Sequence, residues 1–241
     1  LSPDQRRVAY VEEHSDGRAL ILADSRGTSS PQVVSDAAEF YMQPTFSPNG
    51  RLLAWVEWDH PNMPWDGTRL MVGQIGDDGR VGQIKRFAGG TDTSVFQPVL
   101  SDEAVYFISD ESGWSQLWVV TLSTGVAEQL TDEADERSLP AWVQGVRTFV
   151  LTPDREHALM VVGKHGHHEL VEVSLGARHQ RPIAGLGYFS DLLQPALSPD
   201  GTKLALVVSG ARDVPRVICL RIATAEVETL ALACEAPKPS A

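Results

Sequence analysis

A formal charge of −12 on 241 residues, with 32 acidic against 20 basic side chains, argues against a nucleic-acid surface, which needs clustered Lys and Arg. The hydrophobic fraction of 42% suffices for a core, but no apolar run is long enough to span a membrane. Two cysteines, Cys219 and Cys234, make no disulfide framework and read as reduced structural thiols on neighbouring strands.

In chain order the elements are short strands separated by Gly, Pro, Asn and Asp turns. The first unit offers strands at 7–12, 19–24 and 31–34 after the opening Leu1-Ser2-Pro3-Asp4-Gln5-Arg6-Arg7. The second begins with a strand over 43–47, and Pro48-Asn49-Gly50 turns the chain because Pro presets φ while Asn and Gly accept positive φ. Leu52-Leu53-Ala54-Trp55-Val56-Glu57-Trp58 follows, too apolar to keep one face wet. The alternating Arg69 to Ile75 and a more polar outer strand at 82–88 complete four antiparallel strands. The third unit predicts strands at 96–100, 105–109, 115–122 and 126–131. The fourth is less regular, with candidates at 141–144, 148–152, 158–163, 169–174 and 180–183. The fifth predicts 194–198, 203–208, 216–222 and 226–230, and Glu235 to Ala241 reads as a linker.

One phrase sets the period. Pro44-Thr45-Phe46-Ser47-Pro48-Asn49-Gly50 returns as Pro195-Ala196-Leu197-Ser198-Pro199-Asp200-Gly201, with weaker copies at Pro98-Val99-Leu100-Ser101-Asp102 and Pro140-Ala141-Trp142. A repeat near fifty residues with strands inside it predicts an all-β β-propeller of about five four-stranded antiparallel blades, with units at about 1–43, 44–97, 98–139, 140–194 and 195–234. The first copy starts at Leu1, so the chain is expected to enter in mid-blade, as part of a larger propeller. Trp58-Asp59 and Trp65-Asp66 lack the Gly-His partner of a WD40 repeat.

Few residues carry chemistry. No Gly-x-Ser-x-Gly elbow is present, and no catalytic residue is assigned. His165-Gly166-His167-His168 falls in a hairpin turn, where adjacent strand residues point to opposite faces, so a solvated turn is expected rather than a metal site. Asp77-Asp78 and Asp132 to Glu136 lack the spacing of a calcium loop. No cofactor is expected. The distinctive segment is Trp58-Asp59-His60-Pro61-Asn62-Met63-Pro64-Trp65-Asp66-Gly67-Thr68, a long connection between second and third strands. Two Trp, a Met and two Pro must pack against something, and the prolines suit a preorganised surface. Two compatible readings stay open: the loop covers a neighbouring blade, or it meets another domain or a ligand. Its candidate contact residues are Trp58, Asp59, His60, Asn62, Met63, Trp65 and Asp66.

Those residues carry a resemblance. The segment from Pro44 to Trp55, the Glu57 to Thr68 loop, Gly89-Gly90, Ser94 to Pro98 and Tyr106 to Trp114 resemble the propeller of prolyl oligopeptidase family serine peptidases, in the dipeptidyl aminopeptidase/acylaminoacyl-peptidase branch. Similarity weakens beyond residue 139, where Leu151-Thr152-Pro153-Asp154 reads as a departure. The resemblance implies a partner α/β-hydrolase domain that carries the catalytic triad, and a propeller that restricts access to peptides. It implies a cytoplasmic parent enzyme, and no nucleic-acid or membrane partner is expected. Two alternatives stand beside it: a stand-alone TolB-like propeller that binds a protein, and a propeller enzyme using a metal at an acidic or histidine cluster.

Overall fold

The computed structural model describes residues 1–15, 17–142, 144–211 and 213–234, so the expected linker at 235–241 lies outside the described residues. Its elements are nineteen strands, with no helix among the described residues. Blade one holds β1 (Arg7–His14), β2 (Gly17–Asp24) and β3 (Gln32–Ser35); blade two holds β4 (Phe40–Phe46), β5 (Leu52–Trp58), β6 (Arg69–Ile75) and β7 (Val81–Gly89). Blade three holds β8 (Val95–Leu100), β9 (Ala104–Ser109), β10 (Gln116–Thr121) and β11 (Val126–Gln129). Blade four holds β12 (Phe149–Leu151), β13 (His157–Lys164), β14 (His167–Ser174) and β15 (Gln180–Pro182). Blade five holds β16 (Asp191–Leu197), β17 (Lys203–Gly210), β18 (Asp213–Arg221) and β19 (Glu226–Leu232). Every sheet is antiparallel in sequence order, as a propeller blade requires; blade one has three strands and the others four. Contacts group 1–130 with 140–145, and 131–139 with 146–241, into two compact units.

In the first unit β5 shows why the middle strands read as unbroken apolar runs. Leu53, Ala54, Trp55 and Val56 are all fully buried. Alternate side chains serve different cores. Leu53 and Trp55 join Leu20, Leu22 and Tyr41, while Ala54 and Val56 join Val95, Val105 and Phe107. Blade two is thus packed on both faces. In the second unit Leu159 and Val161 of β13 pack with Leu204, Leu206 and Ile218.

The recurring phrase is a turn held by its own side chains. Ser47 Oγ accepts the Leu52 N–H and donates to Asn49 Oδ1, which also accepts the Arg51 N–H. Ser198, Asp200, Thr202 and Lys203 repeat the pattern, as do Ser2, Asp4, Arg6 and Arg7. The blade-four copy is Thr152-Pro153-Asp154-Arg155, where Thr152 Oγ1 accepts the His157 N–H and Asp154 Oδ1 accepts the Glu156 N–H. What read as a departure is the repeat itself. Correspondingly, Ala141 and Gln144 form no strand, and the blade begins at Phe149.

A second device lies in the first strands. Gln43, Gln97 and Gln194 each precede a proline and take positive φ, at 53°, 51° and 56°. At each of them the pairing with the next strand slips, between Met42 and Thr45, Phe96 and Val99, and Leu193 and Ala196. These are β-bulges, and they free amide groups that side chains then satisfy. Gln43 Oε1 accepts the Gln97 N–H, and Gln144 Oε1 accepts the Gln43 N–H while its Nε2 donates to the Tyr41 carbonyl. Cys219 and Cys234 are free thiols, as expected.

Donation from the Ser198 hydroxyl, then from the Thr202 N–H and hydroxyl, lowers Asp200 from 3.8 to about 2. Because the folded value is depressed, this contribution is complete above about pH 3.8 and fades as pH falls towards 2. Asp200→Asn, which installs the residue blade two carries at Asn49, keeps the acceptor and removes the titration. Urea melts will show the variant below wild type at neutral pH, with the gap closing between about pH 3.8 and pH 2.

Candidate functional site

The Trp58–Thr68 connection leaves β5 and re-enters β6 at the end of blade two opposite the repeat turn. Its anchor is ionic. Glu57 is buried, accepts the Trp55 indole N–H at 2.8 Å, and lies 3.4 Å from Arg69 Nε. Arg69 Nη2 reaches Asp59 Oδ2 at 2.7 Å. Burial opposes the charge on Asp59, but the Glu39 N–H and the Arg69 guanidinium outweigh it and hold the carboxyl below its usual range. Burial likewise opposes the charge on Arg69, and Asp59 with Glu57 more than restore it. One guanidinium thus clamps both ends of the loop's first turn.

Polar side chains then fix the loop's path. Asn62 Nδ2 donates to the Thr91 carbonyl at 2.6 Å, Asp66 Oδ2 accepts the Met63 N–H, and Ser94 Oγ donates to the Pro64 carbonyl. Thr68 is buried and exchanges hydrogen bonds with Val95 through its hydroxyl. Gly67 is needed for close approach, since a Cβ there would stand 2.4 Å from the Thr91 oxygen. The peptide bond before Pro61 is cis. Phe40 stacks on Trp58 at 5.1 Å and on His60 at 6.1 Å, with the Arg18 guanidinium 4.7 Å from its ring centre.

Of the loop's apolar side chains Met63 is exposed, Trp58 and Trp65 are half-buried and Pro64 is buried. Trp65 meets Trp142 with ring centres 4.5 Å apart and planes tilted by 54°. With Met42, Trp58, Met63 and Pro64 they surround a pocket of about 220 Å³, open to solvent and edged by Gln144. Trp142 is 72% exposed and Met63 42%. Apolar surface gathered around a concavity, on a backbone tied down by hydrogen bonds, suits recognition of an apolar side chain.

The candidate residues therefore divide. Trp58, Met63 and Trp65 line the pocket; Asp59, Asn62 and Asp66 hold the loop; His60 stacks beside it, its N–H donating to Glu39 Oε2 at 2.6 Å. Sequence reasoning missed Trp142, Met42 and Gln144. The signal was present in Pro140-Ala141-Trp142, but it read as a strand. Of the histidine segment only His165 and Gly166 form the turn; His167 and His168 open β14, where His167 Nε2 lies 3.2 Å from Glu169 and His168 Nδ1 2.8 Å from Asp191. Asp154, Glu156 and His157 bring ligand atoms within 4.8 Å of one another, but Asp154 already serves the repeat turn.

No protein-family model matches the chain. Over 138 residues, 54% of its length, the chain is 25% identical to dipeptidyl-peptidase 5 of Porphyromonas gingivalis, of which it spans 20%. Its fold matches a puromycin-hydrolysing peptidase of Mycobacterium tuberculosis with a TM-score of 0.86 and 26% identity, covering 99% of this chain and 38% of that one. TolB from Acinetobacter baumannii shares the fold at a TM-score of 0.68 and 18% identity, covering 95% of this chain and 54% of its own. The resemblance to the propeller of this peptidase family is borne out, and so is the β-propeller fold. The chain spans well under half the length of the peptidases it matches.

Replacing Arg69 by Ala leaves Glu57 buried without its cation and releases Asp59. The chain will lose roughly 2 kcal/mol of stability in urea melts. Limited proteolysis will cut the loop between Trp58 and Thr68 faster than in wild type, whereas the exposed Trp142→Ala will leave both readouts near wild type.

Proposed function

We propose that this chain is the non-catalytic β-propeller of a cytoplasmic serine peptidase, and that it gates and orients peptide substrates for an α/β-hydrolase domain outside these 241 residues. The observation that carries the proposal is the Trp58, Trp65 and Trp142 pocket, built on a clamped loop at one end of the blades. An apolar pocket of about 220 Å³ holds one side chain rather than a folded surface. A peptide whose side chain enters it is oriented relative to whatever faces that end, and a folded protein gains no purchase. The likeness to a puromycin-hydrolysing peptidase and a dipeptidyl peptidase supports the hydrolase partner.

The role assigned to the pocket is positional. Trp65 and Trp142 supply area and shape, and their tilted arrangement leaves ring faces and edges available to an apolar or aromatic side chain. Bond cleavage belongs to the hydrolase domain. The propeller acts on which substrates reach it and in what pose, an effect read in kcat/KM for extended peptides.

The test uses the full-length gene product. It will label with a fluorophosphonate probe for active serines, and Trp65→Ala will lower kcat/KM for a short apolar peptide about tenfold, as expected for loss of one apolar contact. A small chromogenic aminoacyl substrate that does not reach the pocket will change less than about twofold. A full-length product that never labels contradicts the peptidase reading and favours a TolB-like binding module. Equal effects on both substrates remove the pocket from substrate orientation.

A further inference from the structure

The same first unit carries a second concavity, at the opposite end of its blades. Arg6 and Arg7 precede and open β1, Arg26 lies in the turn from β2 to β3, and Arg80 lies in the turn from β6 to β7. All four line one cleft of about 680 Å³. None of the four guanidiniums makes an ion pair or a side-chain hydrogen bond among the described residues, although acidic side chains outnumber basic ones by 32 to 20 in the chain. Elsewhere Arg18, Arg69, Arg181, Arg216 and Arg221 are all paired with carboxylates.

Two carboxylates share the cleft, and both are committed to backbone. Asp24 accepts the Arg26 N–H and the Thr28 hydroxyl, which hold its carboxyl below the usual range. Asp78 accepts the Arg80 N–H at 3.0 Å. Asp4 adds a third carboxylate beside Arg6 and Arg7, so four cations against three anions leave a local excess of one positive charge in a chain of net charge −12. Gly79 takes φ +80°, and a Cβ built on it would stand 3.1 Å from Arg7 Nη2, so the Arg7 guanidinium lies against the blade-two turn that carries Arg80. Hydroxyls of Thr28, Ser29 and Ser30 sit on the remaining wall.

We propose that this cleft binds a small polyanion of the phosphate class. Planar guanidiniums match phosphate oxygens in paired hydrogen bonds, and two or more of them converging favour a ligand with more than one anionic group. The cleft is open and Arg6, Arg26 and Arg80 are exposed, so affinity comes mainly from charge and hydrogen bonds and falls with salt. The site lies apart from the Trp pocket, and it stands independently of the peptidase reading. Its arginines come from three separate turns, so occupation would tie blade one to blade two at that end.

Titration calorimetry of the 241-residue chain with inorganic pyrophosphate tests this. One equivalent will bind at about 0.05 M salt, and the affinity will drop at least tenfold at about 0.5 M. Arg26→Gln combined with Arg80→Gln, both exposed positions, will weaken binding by at least about tenfold, while Arg51→Gln outside the cleft will not. Citrate will bind more weakly than pyrophosphate. No binding at low salt overturns the proposal, as does binding unchanged in the double variant or tighter binding of citrate. Thermal melts of each variant without ligand establish that it is folded, and a pyrophosphate-induced rise in melting temperature confined to wild type and Arg51→Gln supports the site.

Discussion

Burial of the middle strands on both faces is the constraint from which the rest follows. In β5 the alternation of a pleated strand sends Leu53 and Trp55 into one core and Ala54 and Val56 into another, and all four are sealed from water. A blade of this kind has no wet face to fall back on, so it is stable only with neighbours. Burial relaxes in the outer strands, such as β7 and β19, and at the strand ends. The pocket and the arginine cleft accordingly sit at loops on the blade ends, carried by strands that their cores hold.

The two ends of blades one and two use their loops in opposite ways. At one end polar side chains fix the loop: Arg69 clamps Glu57 and Asp59, and Asn62 and Asp66 tie it to backbone, so the half-buried Trp58 and Trp65 and the exposed Trp142 come together around one pocket. At the other end the carboxylates Asp24 and Asp78 are spent on turn amides, and it is the guanidiniums that are left outside. In each case the local hydrogen-bond demand of the turn decides which groups remain available to a ligand.

What the sequence made legible follows the same logic. The second and third strands of each blade were readable because burial on both faces produces runs such as Leu52 to Val56, which no turn residue interrupts. First strands were misplaced by a few residues because Gln43, Gln97 and Gln194 form bulges, and a bulge breaks the two-residue alternation that reveals a strand. The blade-four repeat was hidden by two substitutions that keep its physics. Thr152 supplies the hydroxyl of Ser, and Arg155 adopts φ of 60° where other copies place Gly. Pro140-Ala141-Trp142 copied the letters of a first strand without its partners. The loop was conspicuous, yet its pocket was not, because Trp142 is remote from Trp65 in the chain and only folding joins them. The arginine cleft was invisible for the same reason.

On the peptidase reading Trp58, Trp65 and Trp142 form a pocket for an apolar side chain of a peptide. This is tested most directly by fluorine NMR of the chain with 5-fluorotryptophan at its six Trp positions, titrated with a short peptide carrying one aromatic residue. The account predicts that the Trp65 and Trp142 resonances shift together and saturably, with Trp58 following weakly, while buried Trp55 stays fixed. Resonances that do not move, or that all move alike, would contradict it.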